Sequence, residues 1–288
     1  MGLQKLLFAS DLSERAARAG ERAAQLARDS GATLQAMHVV DVGEEALDQR
    51  DAQDQEARTS LRDAAREALQ QSTPDCTADT RVVEGDTIGE LVRAADRGDI
   101  DLLLVGAHGR RFWGDWLLGT TAEQLVRQSR TPTLVVRAAS TQPYRKILVA
   151  TDFSACAEQA LRLAVAWFPQ ARFELVHVLD TTAIDQMREA GVDPRWLERR
   201  YEQMRAHAED ALSKQAAACG LDPERTQQTI QAGYPVESLL QVTAAEKPDL
   251  VVVGNHGRGR WGDMLLGSVA NRLLHQLGTD LLLVRHEG

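Results

Sequence analysis

Residues 106–122 read GAHGRRFWGDWLLGTTA and residues 254–270 read GNHGRGRWGDMLLGSVA. Each places a glycine, two residues, a glycine, nine residues, a glycine and a small hydroxyl residue in that order. These are Gly106, Gly109, Gly119 and Thr120 in the first copy, and Gly254, Gly257, Gly267 and Ser268 in the second. His, Arg, Trp, Gly, Asp and a Leu-Leu pair recur at matching offsets. Agreement over such a stretch does not arise by chance. The chain is an internal duplication, and any fold assigned to one half must also suit the other.

The 288-residue length suits two domains of about 150 residues each. The duplication places them at 1–138 and 144–288, joined through the small, polar AASTQP stretch at 138–143. In the first half, apolar runs at 5–10, 33–40, 80–85, 101–106 and 133–137 read as buried strands. Between them lie helical stretches at about 13–29, 45–71, 88–97 and 119–127, the first ended by Gly31. The second half repeats the order, with strands at 146–152, 172–180, 226–233, 249–254 and 280–285 and a long helix at about 194–219. Strands alternating with helices predict an α/β fold: two doubly wound, five-stranded parallel sheets covered on both faces. In such sheets ligands bind beyond the carboxyl ends of the strands where the winding reverses, which lies between strands one and four if the order is 3-2-1-4-5. Asp11 and Asp152 end strand one; Gly106 and Gly254 end strand four.

Composition narrows the function classes. A net charge of −9 with no run of Lys or Arg argues against nucleic-acid and anionic-membrane partners. The start, MGLQKLLFASD, lacks a secretory pattern, and Leu6 stands where a myristoylation signal wants Ser or Thr. No stretch approaches the roughly 18 apolar residues of a membrane span. Three cysteines without a CxxC read as free thiols in a reducing cytoplasm.

The glycine segment points to an anion. Gly119-Thr120 and Gly267-Ser268 open a helix whose N-terminal N–H groups and partial positive charge suit phosphate. The hydroxyl residues are favoured caps there, and Thr121 and Val269 follow them into the first turn. The earlier glycines let the loop turn sharply and approach the anion. Arg110 and Arg258 add charge, and His108 and His256 steady the loop or reach phosphate. Ser10-Asp11 and Thr151-Asp152 either cap the first helix or meet a ribose, an adenine edge or Mg2+. Val39 and Val178, after the strand-two histidines, offer backbone bonds to a base edge. His38 and His177 themselves read as structural, and Trp113 and Trp261 as packing anchors.

Other chemistries fit poorly. Residues 257–262 spell GxGxxG, but after strand four, and the first half has Arg111 in place of the middle glycine; a dinucleotide fingerprint follows strand one. No Walker A motif, zinc-ligand spacing or nucleophile–base pairing is present. No catalytic or metal-ligating residue is assigned.

G-x2-G-x9-G-[ST] after strand four, with Asp ending strand one, resembles the universal stress protein family. The double copy resembles its tandem members across essentially the whole chain. FASDLS and VATDFS stand at the end of the family's first strand, HVVD and HVLD at the second, and LLLVGAHGR and LVVVGNHGR at the fourth. The resemblance implies strand order 3-2-1-4-5 and, for ATP-type members, binding of adenine nucleotide by the glycine motif. It places the strand-one Asp and strand-two Val near the adenosine, and the glycines and hydroxyls around the phosphates. It also implies dimerisation through the last strands, Thr133–Val136 and Leu281–Val284, which a tandem chain could satisfy internally or in a homodimer. The leading expectation is a cytoplasmic tandem protein that binds ATP, ADP or AMP, with Mg2+, as a stress-response sensor or regulator with little or no catalysis. A weak ATP hydrolase and a nucleotide-free interaction module remain the alternatives. Arg111-Phe112 and Thr120-Thr121 depart from the second half's Gly259-Arg260 and Ser268-Val269, which makes the second site the stronger nucleotide candidate.

Overall fold

The computed structural model describes residues 2–41, 52–97, 99–107, 118–138, 142–255 and 266–285. It divides into two compact units, Met1–Pro143 and Tyr144–Gly288.

The first unit runs β1 (Lys5–Ala9), α1 (Glu14–Ser30), β2 (Thr33–Val40), α2 (Ala52–Gln71), β3 (Ala78–Glu84), α3 (Thr87–Arg97), β4 (Leu102–Gly106), α4 (Thr120–Gln128) and β5 (Thr133–Val136). The strands pair in parallel as β3-β2-β1-β4-β5, with Phe8 opposite Ala36 on one side and Leu104 on the other. From β1 to β3 the chain steps one way across the sheet, and from β4 to β5 the other way. Right-handed crossovers therefore put α1 and α2 on one face and α3 and α4 on the opposite face. Because both faces are covered, the central strands are apolar without alternation. Leu6, Leu7, Phe8, Leu102, Leu103 and Leu104 are all fully buried.

The second unit runs β6 (Lys146–Ala150), α5 (Ala155–Trp167), β7 (Arg172–Asp180), α6 (Thr182–Glu189), α7 (Pro194–Ala218), β8 (Thr226–Gly233), α8 (Pro235–Glu246), β9 (Leu250–Gly254), α9 (Ser268–Gln276) and β10 (Asp280–Val284). Its parallel order, β8-β7-β6-β9-β10, repeats that of the first unit. The sequence pattern did not anticipate α6. That helix has eight residues and buries only Ile184, too little apolar periodicity to read. The long helix starts where Asp193 caps it and Pro194 fills its first position. In the first unit, the part of the expected helix before Ala52 lies outside the described residues.

One device fixes the amino edge of both sheets. Asp101, just before β4, accepts from the backbone N–H groups of Gln4 and Lys5 at 2.7 and 2.9 Å. Asp249, before β9, accepts likewise from Arg145 and Lys146 at 2.8 and 2.9 Å. Each carboxylate ties the start of strand one to strand four and so sets the register of the pair whose far ends form the crevice. Asp280, which replaces the first half's Pro132, opens β10 fully buried and accepts from the Tyr144 hydroxyl at 2.6 Å. All three cysteines are free thiols. Burial pushes the Cys76 and Cys219 thiols up, which keeps them protonated and unreactive.

Candidate functional site

Strand one leaves each sheet through the same turn. Ser10 Oγ accepts from Leu12 N at 3.1 Å, and Thr151 Oγ1 accepts from Phe153 N at 3.0 Å. Asp11 Oδ1 accepts from Ser13 N, and Asp152 Oδ1 from Ser154 N, both at 3.0 Å. Leu12 (φ 60°) and Phe153 (φ 63°) both sit in the left-handed region, a conformation that costs a non-glycine residue about 1–2 kcal/mol. The side-chain bonds on either side hold that conformation. The aspartates do not cap the helices that follow. Ser13 and Ser154 do, accepting from Ala16 N at 3.0 Å and Ala157 N at 3.2 Å. The geometry decides this, because the aspartates lie two residues before the caps and their oxygens reach the cap N–H instead.

Strand two locks the turn from the side. The Nδ1–H of His38 donates to the Ser10 carbonyl, and that of His177 to the Thr151 carbonyl, both at 2.8 Å. A carbonyl can only accept, so the proton is on Nδ1. Each histidine thereby braces the turn at the end of strand one. The His177 ring also lies 4.3 Å from the Phe153 ring, tilted by 32°. Val39 is buried and paired opposite Val83, while half-buried Val178 pairs opposite Gln231.

The ends of β4 and β9 are built alike. Gly106 closes the β4–β5 ladder opposite Val136, and Gly254 closes β9 opposite Val284. Gly254 allows a close approach: a Cβ there would lie 3.0 Å from Ala157 N and from Cys156 Sγ, at the first turn of α5. One residue on, Ala107 O accepts from Gly119 N at 2.7 Å, and Asn255 O accepts from Gly267 N at 2.8 Å. These bonds seat the N-termini of α4 and α9 directly against the ends of β4 and β9. His108, Gly109, Arg110, His256, Gly257 and Arg258 lie outside the described residues.

The hydroxyl residues are not the caps. Gly119 and Gly267 occupy the cap positions, and neither cap makes a side-chain hydrogen bond. Thr120 and Ser268 are the first helical residues, with Thr121 and Val269 next. A glycine cap has no oxygen to offer the first-turn N–H groups, so they remain available to a ligand.

In the second unit these pieces enclose a cavity of about 190 Å3. Thr151, Asp152, Val178, Gly254, Gly267, Ser268 and Val269 are among the residues that line it. The sequence had not singled out Pro235 and Leu239 of α8, which add an apolar wall, or Asn255, which adds a buried amide. The only hint of Asn255 was the mismatch with Ala107 between the repeats. His177 and Val178 also border a larger cavity of about 710 Å3 between β7 and α7, which Phe153 and Met204 help to line. Among the described residues, no cluster of three or more His, Cys, Asp or Glu is placed to hold a metal ion. No described helix is long and apolar enough to cross a membrane.

The model of the universal stress protein family matches the chain twice, over residues 2–137 and 143–285. A universal stress protein of Mycobacterium tuberculosis is 28% identical over 196 residues, covering 65% of this chain and 62% of the relative, so the match spans less than two thirds of that protein's length. One from Mycolicibacterium smegmatis is 27% identical over 237 residues, covering 77% and 76% of the two chains. The crystal structure of a universal stress protein from Archaeoglobus fulgidus superposes with a TM-score of 0.66 at 17% identity, covering 98% of each chain; this is a likeness of fold.

Proposed function

The chain belongs to the universal stress protein family, and on that premise we propose that its halves bind ATP or a related adenine nucleotide beyond the carboxyl ends of their strands. The observation that carries this reading is the pair of helix N-termini, at α4 and α9, capped by Gly119 and Gly267 without a side-chain acceptor and held against the ends of β4 and β9. Such a terminus offers fixed N–H donors and a partial positive charge to a phosphate. In the second half the apolar wall of Pro235 and Leu239 and the polar edge at Thr151, Asp152 and Val178 suit a base and its ribose.

In this reading Gly267, Ser268 and Val269 hold the phosphates, together with Gly257 and Arg258, and Gly119, Thr120 and Thr121 do so in the first half with Gly109 and Arg110. Asp11 and Asp152, whose Oδ1 atoms accept from Ser13 N and Ser154 N in the strand-one turn, face the ribose or an Mg2+ carried in with the nucleotide. The protein serves as a cytoplasmic stress-response sensor or regulator, with little or no turnover. Mass spectrometry of small molecules released from the denatured protein, beside a titration with ATP and Mg2+, tests the proposal. Two equivalents of adenine nucleotide per chain are expected if both halves work, and one if only the second does. No nucleotide and no ATP binding would overturn the reading in favour of an interaction module.

A further inference from the structure

Asn255 carries a polar group that no described residue answers. The residue is 3% exposed, and its Oδ1 is buried without a hydrogen-bond donor among the described residues. Its backbone is fully used: the N–H donates to Val284 O at 2.7 Å and the carbonyl accepts from Gly267 N. Asn255 is one of the residues that line the cavity described above. A buried acceptor left without a partner costs about 1–3 kcal/mol, and the duplication shows that the fold does not require it, because the first half places Ala107 at the same point with the same two backbone bonds.

We infer that Asn255 is a specificity-determining residue of the second half, accepting a hydrogen bond from a ribose hydroxyl of the bound nucleotide. This rests on the nucleotide reading and adds to it. Asn255 abuts the N-terminus of α9 through the Gly267–Asn255 bond, so the group beside it is the one next to the phosphates. In a nucleotide that group is the sugar. The carboxamide asks for a donor, which a ribose hydroxyl supplies and a deoxy position does not. Leaving a site's buried polar group unpaired is how binding sites reject analogues that lack a hydroxyl. Ala107 makes no such demand, so the two halves differ in what they select.

The test uses the full-length chain carrying Gly119→Val, which removes the first half's anion site, with and without Asn255→Ala. Binding of ATP, 2′-deoxyATP and 3′-deoxyATP is measured by calorimetry, and the melting temperature without ligand is recorded. With Asn255 present, ATP is expected to bind about 3- to 10-fold more tightly than one of the deoxy analogues. Asn255→Ala should abolish that preference while leaving the ligand-free melting temperature unchanged or higher. Binding with an unchanged hydroxyl preference in Asn255→Ala would overturn this inference alone. So would a fall in ligand-free stability with no change in preference, which would mark Asn255 as a packing residue. No nucleotide binding by the wild-type chain would overturn the nucleotide reading and this inference with it.

Discussion

Thr151 Oγ1 donates a 2.8 Å hydrogen bond to Gln215 Oε1, joining the end of β6 to α7 across 64 residues of sequence. Both side chains are buried. The same hydroxyl accepts from Phe153 N, so one oxygen holds the left-handed turn at the crevice and fastens the long helix beside it. Thr151→Val keeps the shape and removes both bonds, leaving Gln215 Oε1 and Phe153 N unanswered. A loss of about 1–3 kcal/mol in urea-unfolding stability is expected. A change below about 0.5 kcal/mol would mean that the bond is not held in solution.

Ser268 tests whether the α9 terminus binds through its backbone. The residue is the first of the helix, and Gly267 before it has φ −57° and ψ 147°, the extended conformation a following proline requires. Proline is well tolerated at that position, and the N–H it removes has no partner within the helix. Ser268→Pro should leave stability within about 0.5 kcal/mol of wild type. It should weaken ATP binding at the second site by roughly 10-fold or more, the worth of a hydrogen bond to a charged group. Undiminished binding, read by calorimetry, would remove this terminus from the site.

Gly254 is required by packing. Its missing Cβ would sit 3.0 Å from Ala157 N and Cys156 Sγ and 3.1 Å from Cys156 C. Backbone cannot yield as a flexible side chain does. Gly254→Ala is expected to cost about 1–3 kcal/mol through strain at the α5 contact. Chemical denaturation checks this, and wild-type stability in the variant would show that the strand end and helix can separate freely.

Glu174 gives a pH signature. It is buried on β7 at 2% exposure, and Thr229 donates to its Oε1 at 3.1 Å. Burial, reinforced by the neighbouring Glu246 carboxylate, raises its pKa above the usual carboxylate value; the Thr229 bond and Lys146 oppose the shift. A raised carboxyl pKa means that the folded state holds its proton more tightly than the unfolded chain does. The associated stability is therefore fully present below the ordinary carboxylate pKa and lost as pH rises through the raised value. The first half has Gln35 at the equivalent strand position. Glu174→Gln should raise the melting temperature relative to wild type near pH 7, with the gain shrinking as pH falls toward about 4. A gain that does not vary with pH would disprove the ionisation account.

The repeat and the alternation of strands and helices were legible in the sequence, and the strand order followed from the family resemblance. FASDLS and VATDFS, and the two glycine segments, mark the same points of the two units. The roles inside those motifs were less legible. Asp11 and Asp152 read either as caps or as ligand contacts, and the capping half of that reading fails because Ser13 and Ser154 reach the N–H groups. Thr120 and Ser268 read as caps because hydroxyl residues favour that position, yet Gly119 and Gly267 occupy it. Both outcomes depend on a shift of one or two residues in where the helix begins, and preference scales do not resolve that.

Unbroken apolar strands, helical spacing between them and a glycine pattern stated twice are properties of neighbouring residues, so the linear chain was enough to indicate two doubly wound sheets. Partners distant along the chain were decided by tertiary structure alone. Gln215 meets Thr151, Asp249 meets Lys146 N, and Asn255 is buried with its Oδ1 lacking a donor among the described residues. Each of these depends on where a helix or strand comes to rest after the core has packed. Nothing local to Gln215 encodes its distance from Thr151, and nothing local to Asn255 encodes its burial, so only the folded chain brings these relationships about.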